Sequence, residues 1–213
     1  MTSATSICLI LVVLLSVGVL SATRLATSIR LVAAQGVVLG ILPPLVLGGR
    51  VGLHVVAFAA GAIAIKAVLM PWLLLRAMRE AEVRREAEPF IGFSASLLLA
   101  GLLAGAAFLL ADELPIPAPD APLLVGSALA TLAIGALVMV SRKKAVTQVL
   151  GYLLVENGIF LFGQTVAGGM PTLVELGILL DVLVGVFVMG IAIFHINREF
   201  DHMSVPELKA LRD

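Results

Sequence analysis

Seven apolar stretches, each close to twenty residues long and joined by short polar segments, leave this chain few folds to choose from. They run at roughly 4–22, 29–48, 52–75, 91–111, 122–140, 145–166 and 172–196. About twenty apolar residues in a helix rise ~30 Å, the thickness of the hydrocarbon in a bilayer. In that medium each segment must satisfy its own backbone N–H and C=O groups, which selects helices. The expectation is an all-α integral membrane bundle of seven transmembrane helices. Composition agrees. Of 213 residues, 61% are hydrophobic and 13% charged, against ~25% charged in a soluble domain. Little soluble mass remains, and no nucleic-acid partner is expected.

The charges in the joints orient the bundle. With the N-terminus outside and the C-terminus inside, the inside segments hold Arg24, Arg30, Arg76, Arg79, Arg84, Arg85, Arg142, Lys143, Lys144, Arg198, Lys209 and Arg212. Those are twelve of the fourteen lysines and arginines, as the positive-inside rule requires. Arg50 falls outside and Lys66 within the membrane. The acidic, proline-rich ADELPIPAPDAP and the uncharged AGGMP fall outside. No charge precedes Arg24, so a retained first helix is expected rather than a cleaved signal peptide. The inside loop RAMREAEVRREAEPF reads as a solvated extension of the third helix ending at Pro89. A docking patch for a soluble partner is the weaker reading. In the tail, Ser204 and Glu207 match a capping box, and Leu208 and Leu211 follow at helical spacing.

Several small signals bear on packing. Gly36 with Gly40, and Gly101 with Gly105, match the small-xxx-small pattern of close helix contact. Pro43 and Pro44 are expected to end or kink the second helix, and Pro71 to kink the third one turn after Lys66. The lone Cys8 supplies no disulfide framework and no metal motif. His54, His195 and His202 form no recognisable metal site.

The functional signal is the charge that the spans retain. Glu156 sits near the middle of the sixth span, beside Asn157 and Gly158. The seventh carries Glu175 and Asp181, and the third carries Lys66. An ionised group at the bilayer centre costs at least ~2.5–3.5 kcal/mol, so such residues face a bundle interior, a partner or water. Glu156 is the first candidate for proton exchange. The bland alternative is a glutamic acid locking two helices by a hydrogen bond. Asp181 lies about ten residues into its span with Gly185 one turn further on, leaving room for water. Glu175 is nearer the outer end, where a carboxylate also suits a helix N-terminus. The two are six residues apart and point about 120° from each other, so they form no paired-carboxylate site alone. Lys66 is ten residues from Arg76, about 15 Å of helix, which is far to snorkel. A buried lysine paired with a membrane carboxylate is therefore expected. A retinal protein is excluded, because the last span holds no lysine.

These residues also carry a resemblance. The run SRKKAVTQVLGYLLVENGIFLFG, then PTLVELGILLDVLVGVFVMGIAI, then the terminal MSVPELKALRD, resembles component E of hydrogenase-4. KAVLMPWLL in the third span is similar to that family's lysine–proline segment. The last three spans also resemble the three-helix K subunit of bacterial complex I, whose two membrane glutamates fall by position on Glu156 and near Asp181. Aspartate replaces glutamate at the second, one methylene shorter. The similar C subunit of multisubunit Na⁺/H⁺ antiporters lacks the four extra N-terminal spans.

The resemblance implies a four-helix membrane region over 1–121 and a three-helix K-subunit-like region with a cytoplasmic tail over 122–213. It implies a non-catalytic membrane-arm subunit of a complex-I-like, group 4 nickel–iron hydrogenase in a bacterial inner membrane. Partners would be antiporter-like membrane subunits and the anchor of the hydrogenase module. Nickel–iron and iron–sulfur centres would sit in those partners, with no cofactor or metal in this chain. Glu156, Asp181, Lys66 and Glu175 would contribute to an intramembrane polar axis moving protons or ions. Two rivals stand beside this: a stand-alone secondary transporter and a purely structural scaffold. No internal repeat supports the transporter, a class often built on repeats.

Overall fold

A computed structural model describes residues 3–46, 52–80, 90–114 and 121–166. Every regular element in them is helical: α1 (Ser3–Ser21), α2 (Leu25–Val46), α3 (Leu53–Ile63), α4 (Met70–Glu80), α5 (Phe93–Glu113), α6 (Ala121–Ser141) and α7 (Ala145–Val166). α3 and α4 are two parts of one continuous helix, joined by a π-helical segment, Ala64–Leu69. The six resulting helices are all long and apolar enough to cross a membrane. They coincide with the first six expected spans. The seventh, 172–196, lies outside the described residues, as do Glu175 and Asp181.

The outward surface of the bundle is apolar. Leu53, Leu98, Leu102, Leu109 and Val140 are each exposed, as befits side chains bathed in lipid. Two clusters fill the inside. One gathers Val19, Leu20, Ile29, Val32, Leu74, Ile134, Val138, Leu150 and Leu154. The other gathers Leu9, Val12, Leu39, Leu42, Leu124 and Leu161. α6 packs along α7 on one side and α5 on the other, α1 rests on α2 and α6, and the broken third helix rests on α2.

The prolines lie inside helices. Pro43 and Pro44 fall in the last described turn of α2, which runs to Val46. At Pro71 the irregularity lies upstream of the ring. The Ala64 N–H bonds to the Ala60 carbonyl in the ordinary α register, and by Met70 the N–H reaches back five residues to Ile65. Pro71 offers no N–H to the carbonyl of Ala67, and the widened turn directly before it absorbs that defect. The third helix continues to Glu80, so the expected inside extension begins as read. Its expected end at Pro89 lies outside the described residues.

Glycine spacing also needs correction. Gly36 and Gly40 do mark a close approach: a Cβ on Gly36 would stand 2.8 Å from Lys66 Cβ, and one on Gly40 would stand 2.3 Å from Ile63 Cγ1. Among the described residues, Gly101 and Gly105 meet nothing within 4 Å. They lie on α5, the least buried of the six spans. The tightest crossing, α6 on α7, carries the pattern as Thr131 with Gly135 and Thr147 with Gly151, a threonine taking the first glycine's place. Gly135 and Gly151 face one another there, and Gly158 rests against the backbone of Ala128 and Leu132.

One end of the bundle collects the basic joints. Arg142, expected as a loop charge, is buried. Its guanidinium donates to the Leu20 carbonyl at 2.6 Å and lies 4.4 Å from the Phe93 ring centre. The last carbonyls of α1 lack partners within their own helix and carry the negative end of its dipole, so a cation there satisfies both needs. Lys143 stacks over Phe90 at 5.1 Å, and the Phe90 N–H bonds to the Ser141 carbonyl. Arg142 thus ties α1, α5 and α6 together at the end where the short basic joint enters α7.

Candidate functional site

Three helices meet at the deepest polar point of the bundle. The third helix brings Lys66, inside its π-helical segment. α7 brings Glu156 and Asn157, near its midpoint. α2 brings Gln35. All four side chains are buried.

Lys66 Nζ donates to Glu156 Oε1, closing an ion pair between two helices. It donates also to Asn157 Oδ1 at 3.1 Å, and it lies 5.6 Å from the centre of the Phe160 ring. Glu156, Asn157 and Phe160 all stand on α7, so one helix face supplies an anion, an amide oxygen and an aromatic ring to the same ammonium. Asn157 Nδ2 donates to Gln35 Oε1 at 3.0 Å. Gln35 Nε2 donates to the Val12 carbonyl at 3.1 Å and to Ser16 Oγ at 2.9 Å on α1. The network therefore spans four helices.

Local sequence explains the geometry. Gly36 has no side chain to hold α2 away from the third helix, so the Lys66 backbone can approach within 3.0–3.2 Å of where a Cβ would stand. The π-helical turn then sets the direction in which the lysine leaves its helix. Extra residues per turn of this kind recur at functional sites. A small cavity of about 10 Å³ adjoins the pair, lined by Val32, Ile65, Met70 and Leu153 as well as Lys66, Glu156 and Asn157. That is room for about one water.

The chemistry open to such a site is limited. A carboxylate and an ammonium in contact compensate one another's loss of water. Either can gain or lose a proton if water reaches the cavity. Among the described residues, no group of three or more histidine, cysteine, aspartate or glutamate side chains could hold a metal ion.

Of the four site residues expected from sequence, the structure brings Lys66 and Glu156 together, while Asp181 and Glu175 lie outside the described residues. Sequence reasoning missed Gln35 as a partner. The signal was present: it is the one amide in an otherwise apolar stretch of the second span, and polar side chains at mid-span commonly bridge helices. Asn157 was noticed only as a neighbour of Glu156.

Comparison with known proteins supplies the relatives. No family model matches the chain, and no solved structure matches it. Hydrogenase-4 component E of Escherichia coli strain K12 is 29% identical over 156 residues, covering 73% of this chain and 72% of that protein. The Shigella flexneri protein of the same name matches to the same extent. These are distant homologues, and they support the family resemblance read from the sequence. The uncharacterized protein Rv0085 of Mycobacterium tuberculosis is 35% identical over 204 residues, covering 94% of this chain and 92% of that one. With identity sustained over nearly the whole of both chains, this multi-pass membrane protein belongs to the same family as Rv0085, with hydrogenase-4 component E a more distant relative.

Proposed function

We propose that this chain is a non-catalytic membrane subunit of a hydrogenase-type, complex-I-like assembly, and that its Lys66–Glu156 pair handles protons within it. The observation that carries the reading is the ion pair itself. A lysine and a glutamate, paired between two helices at mid-bundle, are costly to keep in hydrocarbon for shape alone. Interhelical hydrogen bonds between neutral polar side chains would hold the bundle at lower cost. Distant homology to hydrogenase-4 component E favours a hydrogenase complex as the setting.

In this reading Asp181 and Glu175 of the seventh span extend the polar path, and residues 122–213 form a unit like the complex I K subunit. Partners are antiporter-like membrane subunits and the hydrogenase anchor, which hold the redox metals. The N-terminus faces out and the C-terminus in, across a bacterial inner membrane. The gathering of Arg142 and Lys143 at one end of the bundle supports that orientation. A thiol in place of Lys143, which is exposed, is expected to react with a membrane-impermeant maleimide in inside-out vesicles and not in intact cells. The opposite pattern would reverse the topology.

The membership test is a mild-detergent pulldown of the native complex followed by mass spectrometry. Recovery of a nickel–iron large subunit, iron–sulfur subunits and antiporter-like membrane proteins is expected. Recovery of the chain alone, stable and monodisperse, would overturn the assignment and favour a stand-alone transporter.

A further inference from the structure

The polar network has a direction, and a backbone atom sets it. The Val12 carbonyl can only accept a hydrogen bond. The Ser16 hydroxyl donates to it at 2.9 Å, which leaves the serine oxygen free to accept. The Gln35 group facing both must therefore be its amide nitrogen. Gln35 Oε1 is thereby turned to α7, where it accepts from Asn157 Nδ2. That in turn leaves Asn157 Oδ1 facing Lys66 Nζ. One carbonyl on α1 thus fixes the sense of two side-chain amides on two further helices. The far end of the chain is a neutral acceptor presented to the lysine.

We infer that Asn157 and Gln35 are positioning residues that keep Lys66 as a standing ammonium, so that Glu156 carries the proton exchanged at this site. The inference rests on the proton-handling reading above and deepens it. An ammonium has three donors. When Glu156 is a carboxylate, Lys66 donates both to it and to Asn157. When a proton arrives from water, it bonds to a Glu156 oxygen and the carboxylate becomes a neutral acid. Its pull on Lys66 falls, but the Asn157 oxygen does not titrate and still accepts. Hydrogen bonds from a charged donor are about twice as strong as neutral ones, so this acceptor favours the charged lysine. The site then alternates between net charge zero and plus one, and the proton leaves Glu156 to water by the same route.

Among the described residues, the packed helices carry other titratable side chains, with His54 near the start of the third helix and Arg79 and Glu80 at its end. On α7, Tyr152 is four residues before Glu156 and 37% exposed. On α2, Arg30 is exposed. On α4, Arg76 lies over the Trp72 ring at 5.9 Å. On α1, Cys8 is part-buried, and α6 contains no ionisable residue.

The test uses the full chain in lipid bilayers with ¹⁵N-labelled lysine and solid-state NMR. Four lysines are present, 66, 143, 144 and 209, and Lys66→Met assigns the signal of interest by removing it. Infrared difference spectra follow the Glu156 carboxyl band, assigned with Glu156→Gln. In the wild type, the Lys66 resonance is expected to remain an ammonium throughout the pH range in which the Glu156 band changes. In Asn157→Leu, the ammonium signal should give way to neutral amine within that range. Gln35→Met leaves Lys66, Glu156 and Asn157 intact, and should show the same loss in weaker form. It also serves if Asn157→Leu does not fold.

Neutral amine at Lys66 in the wild type, with the Glu156 band unchanged, would overturn the inference. So would an ammonium signal in both variants equal to that of the wild type. Failure of the functional reading shows elsewhere, as proton translocation unaltered by loss of the Glu156 carboxyl.

Discussion

Lys66→Met and Glu156→Leu will each destabilise the chain by ~3–5 kcal/mol, and combining them will recover most of the loss. Each single change leaves a buried charge without its main partner, the costliest way to break an ion pair. The loss has a ceiling, because the orphan can neutralise itself. From reference ionisation constants, removing the proton from a free lysine at pH 7 costs ~4.6 kcal/mol, and adding one to a free glutamate costs ~3.7 kcal/mol. Glu156→Leu, which strands the lysine, should therefore be the worse single. The double variant places two apolar side chains where hydrocarbon surrounds the bundle, and such replacements are often neutral or stabilising. Denaturation of the four proteins in mixed micelles measures the cycle. A double variant no better than the worse single would mean that the two residues do not depend on each other.

Gly135→Val should disrupt the α6–α7 crossing by ~3 kcal/mol or more, while Gly101→Val should lie within ~0.5 kcal/mol of the wild type. A Cβ on Gly135 would stand 2.6 Å from the Val155 nitrogen and 2.8 Å from the Gly151 oxygen. These are backbone atoms, and they move only if the helix moves. Glu156 follows Val155 directly, so a displaced α7 would also shift the ion pair. At Gly101 nothing among the described residues lies within 4 Å. Thermal unfolding of the purified chain separates the two. Equal effects at both positions would refute the packing described here.

Much of this arrangement was legible in the sequence, for a physical reason. Hydrocarbon admits so few backbone conformations that length and hydropathy alone located the first six spans. Mid-membrane charge is expensive enough that Lys66 and Glu156 stood out without any contact information. Their pairing was reachable too, because Lys66 lay too far from the inside surface to snorkel. Other features depend on contacts between distant parts of the chain. Gly101 and Gly105 carry the same pattern as Gly36 and Gly40, and among the described residues only Gly36 and Gly40 meet a neighbour. Gly135 and Gly151 lie on different helices, and no spacing rule links them. Arg142 looked like any loop cation until α1 brought its last carbonyls to it. The π-helical turn before Pro71 was foreshadowed only as a kink. Gln35 gave a weak signal, since a lone amide in a span names no partner.

The most direct test of the account is proton translocation by the assembled complex carrying Glu156→Gln. Glutamine keeps the size of the side chain and an oxygen for Lys66 but cannot exchange a proton. Hydrogen turnover and acidification are to be measured together in inside-out vesicles, with complex assembly checked by native gel. The account predicts a normally assembled complex that still turns over hydrogen, with proton translocation reduced at least about tenfold, the effect of ~1.4 kcal/mol on the step it limits. Full translocation in that variant would contradict it and leave the Lys66–Glu156 pair as a structural clasp between two helices.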